Sequence, residues 1–364
     1  MRILHVGDRL PDVRIERFIL LDHQLGHTCG FIGETDDPLI TALDLKMPLP
    51  IYNLKIDRSF RLGSYSQENL ENLNSTLIDF NPDILHIHNL YFLSFIRQFF
   101  KKRTLSFSFV YNDHEYWSET NYLRYKGFKS SLKLHKALSS YYKAYLYKKW
   151  EKRFIPGQVV ITVSEEIMKI HDIKFSAKFA TFIPNMPILD EVNQAIFSKK
   201  ADEKTAVYIG KDFTNKHVPT RYTGDILEMW KEIKPAKLIV IGDNRLQSDD
   251  CIYSTGIVPH MKLYDYSSRA HFGLLAYNPH YFHKYISPNK IYIYIHAGAL
   301  PILPRNVPFE VDVPRFSNQT ELFEILEHHH LPDLNEIRNL ARDTLVADNF
   351  IDRLKQAYEE ALTI

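Results

Sequence analysis

The residues best suited to chemistry in this chain come in short polar clusters, each just after a run of β-branched or aromatic residues. Asp12, Arg14 and Arg17, with Asp8, Arg9 and Glu16 beside them, follow the first such run. Arg14 and Arg17, one turn apart at a helix start, could hold an anion together. Next come His86, His88 and Asn89, then Asn112-Asp113-His114-Glu115. A histidine between two carboxylates at a strand end can be oriented and made more basic, which suits general base work or a hydrogen bond to a hydroxyl. His114 is therefore the main candidate catalytic group, with Glu115 beside it; the bland alternative is a helix cap. His86 and His88 share a strand face and hint at a metal, but no third ligand is apparent, so hydrogen-bonded histidines and no metal are expected.

Later clusters have a different chemistry. Gly210-Lys211 and Lys216 put two cations on a strand-to-helix loop, which can neutralise a diphosphate without a metal. Gly242-Asp243 and the Gly256-Ile257-Val258-Pro259 loop follow the next two runs, and glycine there allows close backbone approach to a flat ligand. Ser287-Pro288-Asn289-Lys290 opens a helix whose free N–H groups and positive dipole end suit a phosphate-bearing ligand.

The elements that would carry these clusters read as a parallel α/β architecture. Strands are expected at Ile3–Val6, Thr28–Ile32, Ile84–Ile87, Phe107–Tyr111 and Val159–Val163. In the second half they are expected at Ala206–Ile209, Leu238–Ile241, Cys251–Ser254, Phe272–Ala276 and Pro301–Leu303. Near-continuous apolar strands point to sheets covered on both faces, hence two doubly wound domains. The expected division is a domain over 1–184, a connection over 185–204, a second domain over 205–345 and a terminal helix over 346–364 that packs back on the first domain.

One stretch breaks the alternation. Asn121 to Phe154 reads as a long helical segment rich in Lys, Arg and Tyr, with Glu151 almost its only acid. A basic helix with aromatic residues fits a membrane surface, and equally fits a solvated helix whose aromatics cover the sheet.

The totals limit the alternatives. A formal net charge of +1 gives no global case for a nucleic-acid partner. The two cysteines, Cys29 and Cys251, lie in apolar runs outside any metal-ligand spacing, as expected of buried thiols in the cytoplasm. The start, MRILHVGD, lacks the pattern of a signal peptide, and no apolar window reaches the about 18 residues of a membrane span.

Taken in order, the clusters resemble the GT-B glycosyltransferases, in particular the large retaining family 4 type. RILHVGD with PDVRIER is similar to that family's opening strand and helix start; DFNPDILHIHNLY, VYNDHEYW, VVITVSEEI and FIPNMP follow in family order. VYIGK, LIVIGD, TGIVPHMKLYDYSSRAHFGLLAY and SPNKIYIYIHAGALPIL continue the order through the second half. The resemblance implies two Rossmann-like domains flanking a cleft, and transfer of a sugar from a UDP- or GDP-sugar to a glycan or polyprenyl-linked glycan, with no cofactor or metal required. It implies donor contacts from Gly210, Lys211, Lys216, Gly242, Gly256, Val258, Pro259, Ser287, Asn289 and Lys290. It puts His114 beside the transferred sugar, and Asp12, Arg14, Arg17 and Glu115 on the acceptor side.

The sequence departs from the family at one informative place. Where the family has a pair of glutamates, the second accepting hydrogen bonds from the ribose, this chain has Tyr285 and Ile293. Isoleucine accepts no hydrogen bond, and losing a charge-assisted one costs on the order of 1.5–3 kcal/mol. The expected function is synthesis of surface polysaccharide or glycoconjugate at the inner face of the cell membrane. The alternative is a catalytically degenerate relative that binds a sugar nucleotide or glycan, or supports a partner enzyme. A nucleotide-sugar epimerase is a third reading, for which no carboxylate pair can be assigned.

Overall fold

The computed structural model describes residues 1–35, 42–43, 47–101, 107–211, 218–330 and 333–363. The chain divides into two compact units: 1–122, 138–184 and 348–364 form the first, and 123–137 with 185–347 form the second.

The first unit is built on a parallel sheet of β1 (Arg2–Leu10), β2 (Thr28–Thr35), β3 (Ile51–Asn53), β4 (Ile84–His88), β5 (Ser108–Asp113), β6 (Val159–Thr162) and β7 (Phe179–Phe182). Its strand order is β3-β2-β1-β4-β5-β6-β7. The second unit carries β8 (Thr205–Ile209), β9 (Lys237–Ile241), β10 (Ile252–Gly256), β11 (Phe272–Leu274), β12 (Leu300–Pro304) and β13 (Arg315–Phe316), in the order β10-β9-β8-β11-β12-β13. All ten expected strands are present in doubly wound parallel sheets, eight of them within a residue or two, while β1 and β2 run on four and three residues further than expected. The strands missing from the sequence reading, β3, β7 and β13, are short and three of the four sheet edges are theirs, where a few residues carry no readable alternation.

Each unit buries its strands through helices with apolar faces. The helix Val13–Gln24 starts where the Asp12 carboxylate caps the Arg14 N–H at 2.9 Å, and it turns Ile15, Phe18 and Ile19 inward. The helix Ile351–Leu362 returns to the first unit, burying Leu354, Ala357, Tyr358 and Ala361. In the second unit Trp230 of the helix Ile226–Ile233 is fully buried against Phe323. Gly273 in β11 lies under the Tyr294 ring, whose hydroxyl donates to the Leu274 carbonyl and accepts from the Ile209 N–H. A methyl at Gly273 would overlap that fixed ring.

The core of the first unit contains a polar layer. In β1 and β4 the registered pair His5 and His86, and His88 two residues on, point to one face of the sheet, and Asn112 of β5 is paired with His88. On that face lie Asp22 and Tyr358, from the helices Val13–Gln24 and Ile351–Leu362. His5, Asp22, His86, His88 and Tyr358 are all fully buried. The Tyr358 hydroxyl donates to Asp22 Oδ2 at 2.8 Å and meets His86 Nδ1 at 2.7 Å. His5 Nδ1 is 3.1 Å from His88 Nε2, and His88 Nδ1 is 3.3 Å from Nε2 of His114, just beyond β5.

Burial holds the imidazoles of His86, His88 and His114 neutral. It depresses His86 and His88 well below the ordinary histidine value, aided by neighbouring histidines. Burial and then the Arg14 guanidinium push His114 down to about 3, against a partial offset from Asp12.

An unfolded histidine titrates near 6.5, so below that pH the unfolded chain takes up protons that the folded chain refuses. The stabilising contribution is complete above about pH 6.5 and is lost as pH falls toward the folded values. For His114 alone, the loss between pH 7 and pH 5 is about 2 kcal/mol. Urea midpoints should fall over that interval in the wild type and fall less in His114→Gln; an equal fall in both would contradict the burial of a neutral His114.

Candidate functional site

In an open parallel sheet, ligands bind outside the carboxyl ends of the strands at the point where strand order reverses. That point is β1/β4 in the first unit and β8/β11 in the second, and most of the sequence-predicted residues lie along these two edges.

At the first edge, the loop after β1 brings Asp12 and Arg14 together. Arg14 Nη2 donates to Asp12 Oδ2 at 2.8 Å and its Nε to Oδ1 at 3.2 Å. Burial raises the Asp12 carboxyl, but Arg14 more than offsets this and leaves it below the usual carboxylate range. Arg14 and Asp12 are close enough to act on His114, and Glu115 and Asp8 on Arg14. Arg17 is buried at 3% exposure rather than presented beside Arg14, because the helix turns it inward. Asp8 accepts from Asn89 Nδ2 at 2.9 Å, from Arg61 at 3.2 Å and from the Tyr91 hydroxyl.

The expectation that neighbouring carboxylates make His114 more basic is overturned. Strand alternation sends Asp113 to the opposite face, where it accepts from His171 Nε2 at 2.6 Å and from Tyr111 at 2.8 Å. His114 instead faces His88, and burial makes it less basic. It is suited to a neutral hydrogen-bonding role rather than to proton abstraction at neutral pH.

The third histidine that the sequence did not reveal is His5. Nitrogens of His5, His86 and His88 approach closely enough for a metal. Ring orientation argues against one: His86 and His88 stack with centroids 4.5 Å apart and planes 6° from parallel. An imidazole binds a metal in its own plane, and two stacked parallel planes share no such point. The cluster works as a hydrogen-bonded layer.

At the second edge, Gly210 and the exposed Lys211 follow β8, and the Gly210 N–H is bound to the Ile241 carbonyl at 2.8 Å. Lys216 lies outside the described residues. Gly242 has φ +102, a backbone that favours glycine, and donates to the Gly256 carbonyl at 2.7 Å. Asp243 then holds Arg245 through its backbone N–H at 3.0 Å and Nε at 2.9 Å. Arg245 also reaches the Lys211 carbonyl at 3.3 Å, bringing an unforeseen cation to this loop. The Gly256 to Pro259 loop is pinned by Asn244, whose Oδ1 accepts from the Ile257 N–H at 2.9 Å, with Val258 half-buried.

The helix Asn289–His296 opens as expected beside Pro288. Lys290 donates to the Tyr277 hydroxyl at 3.1 Å, and its Nζ lies 4.4 Å from the Tyr208 ring centroid. Burial lowers the Lys290 ammonium, while Lys290 and Arg221 draw the Tyr277 hydroxyl down against its own burial. Sequence reasoning missed Tyr208, Tyr277 and Arg221, although Tyr208 lies in β8 and Tyr277 ends the apolar run from Phe272. Ser287 is occupied structurally: its Oγ accepts from the Asn185 N–H at 3.0 Å. Ile293 is 1% exposed within the same helix, and Tyr285 is half-buried.

The stretch expected as a single helix over Asn121 to Phe154 is two, Trp117–Ser130 and Leu134–Phe154, parted where Leu132 takes φ +57. The aromatics of the second divide by face. Tyr147, Trp150 and Phe154 are buried with Ala137 and Ala144, while Leu134, Leu138, Tyr141, Tyr142 and Tyr145 are exposed and Lys148, Lys149 and Lys152 follow on the same side. No helix among the described residues is long and apolar enough to cross a membrane.

No protein-family profile and no curated protein matches the chain. Solved structures do. A sucrose-phosphate synthase from Thermosynechococcus elongatus superposes with a TM-score of 0.70 at 13% identity, over 100% of this chain and 99% of that one. A glycosyltransferase from Rickettsia africae gives 0.61 at 13% identity, covering 99% and 98%. Anabaena HepE, solved in complex with UDP and glucose, gives 0.61 at 11% identity, covering 99% of each chain. The chain thus has the fold of the GT-B glycosyltransferases, in two Rossmann-like units that each reverse strand order at a polar carboxyl edge.

Proposed function

We propose that this protein is a glycosyltransferase that moves a sugar from a UDP- or GDP-sugar to a hydroxyl of a glycan or polyprenyl-linked glycan. The observation that carries the reading is the two cation pairs on the carboxyl side of the second sheet, Lys211 with Arg245 and Lys290 with Arg221, in a chain similar over its full length to a protein solved with UDP and glucose. Cations there stabilise the diphosphate as the sugar C1–O bond breaks. The acceptor hydroxyl forms the new bond to C1 and its proton leaves with the diphosphate. With fixed cations in this role no metal is needed, and attack on the face the diphosphate leaves would retain configuration. Lys216 joins this set by resemblance. Asp12, Arg14 and Glu115 line the acceptor side, and His114 contacts the transferred sugar as a neutral hydrogen-bonding group.

Ile293 supports the second reading, a protein that binds the donor but has lost transfer, because a buried isoleucine gives the ribose no acceptor. Measuring sugar release from a panel of UDP- and GDP-sugars, with and without glycan acceptors, separates the two. The transferase reading expects turnover that Lys211→Ala lowers by at least about 100-fold, on the scale of losing one preorganised charge-stabilising group, while circular dichroism is unchanged. Unchanged turnover in that variant would refute the role of Lys211, and binding without turnover would favour the second reading.

A lipid-linked acceptor calls for contact with the inner face of the membrane, and the exposed Leu and Tyr stripe of the helix Leu134–Phe154, with its following lysines, supports it. The protein should sediment with phosphatidylglycerol vesicles and not with phosphatidylcholine alone. Replacing Tyr141, Tyr142 and Tyr145 by Ser and Lys148, Lys149 and Lys152 by Glu should abolish sedimentation; undiminished sedimentation would exclude this helix.

A further inference from the structure

A chain of neutral imidazoles can carry its hydrogen bonds in only two senses, because each ring has one N–H and one bare nitrogen. In the first unit the chain runs from Asp22 through His5 and His88 to His114, and one end of it is a carboxylate. His5 Nε2 lies 3.0 Å from Asp22 Oδ2, a close electrostatic contact without hydrogen-bond geometry. A bare lone pair at that distance from a carboxylate oxygen would be repelled, so the proton belongs on His5 Nε2. His5 Nδ1 is then bare and accepts from His88 Nε2–H, and His88 Nδ1 is bare and accepts from His114 Nε2–H. The sense continues to His114 Nδ1, which is buried and meets no donor among the described residues.

A second branch agrees with this sense. The Tyr358 hydroxyl donates to Asp22, so its oxygen is left to accept from His86 Nδ1–H, and His86 Nε2 accepts from Asn112 Nδ2 at 3.3 Å. Both branches drain toward the same carboxylate.

We infer that Asp22 is a positioning residue: acting through His5 and His88, it holds His114 in the Nε2–H tautomer with Nδ1 bare, so that the ring offers a hydrogen-bond acceptor to a ligand hydroxyl. This deepens the reading of the first unit's site and rests on it. Asp22 touches no ligand in this scheme. It fixes which nitrogen of His114 is free, as a second partner does for a histidine in any oriented site.

The test is two-bond proton–nitrogen correlation NMR on protein labelled at histidine, with the His114 signals assigned by their loss in His114→Gln. In the wild type His114 is expected to show a protonated Nε2 and a bare Nδ1. His5 and Tyr358 both face Oδ2 of Asp22, so Asp22→Leu removes the one carboxylate that sets the sense of the chain, and His114 should then show signals of both tautomers. Tyr358→Phe keeps the carboxylate and should leave the tautomer of His114 unchanged. Binding of the tightest sugar nucleotide should weaken in proportion to the rings lost to the Nδ1–H form, about twofold when half are lost.

A wild-type His114 protonated at Nδ1 overturns the inference without any variant, so it stays testable if Asp22→Leu does not fold. An Asp22→Leu protein in which His114 keeps the single Nε2–H tautomer, or shows both with unchanged binding, also overturns it. Failure of the wild type to bind any sugar nucleotide would count against the proposed function, while the NMR signals of His114 would still decide the tautomer.

Discussion

The structure depends on one geometric constraint, the reversal of strand order in each parallel sheet. Chains leaving β1 and β4, or β8 and β11, turn away from each other, so the carboxyl edge between them cannot be closed by the connections themselves. The polar residues of the chain collect there: Asp12, Arg14 and His114 in one unit, Lys211, Arg245, Tyr277 and Lys290 in the other. Elsewhere the strands are apolar, and the main exception, the His5, His86 and His88 layer, lies directly behind the first edge and connects to it through His114.

That layer has a stability cost and a chemical use. The buried His86 and His88 must stay neutral, which makes the folded chain vulnerable to acid. Neutral rings can also carry a directional hydrogen-bond chain, which charged ones cannot, and the Asp22 carboxylate gives the chain its direction. A sheet face filled with Val or Ile would be more robust and would leave His114 free to take either tautomer.

Legibility in the sequence followed distance along the chain. Strands and the clusters after them were readable because a period of two and a strand end are local patterns, and Lys211, Lys290, Asp12 and His114 were found in this way. Partners remote in sequence were not: His5 and His88 are 83 residues apart, and Asp22 and Tyr358 are 336 apart. The basicity assigned to His114 failed for a related reason, since its burial and the nearby Arg14 come from packing that local sequence does not show. Arg245 and Arg221 sit in loops whose course no local pattern specifies. The resemblance read from the ordered segments agreed with the GT-B fold, although identity to the solved structures is only 10–13%.

The helix Asn289–His296 remains the point of tension, with a cation at its start and an apolar side chain at Ile293. If Lys290, Tyr277 and the loops after β8 and β9 suffice to hold a nucleotide, the missing ribose acceptor changes the donor preferred rather than abolishing binding. The most direct measurement is a thermal-shift series against UDP- and GDP-sugars. A ligand held only by the folded state stabilises it by about 2.7 kcal/mol at a hundredfold excess over Kd. A raised melting temperature with at least one sugar nucleotide, lost in Lys211→Ala, is the predicted result; no shift with any of them at saturating concentration would contradict it.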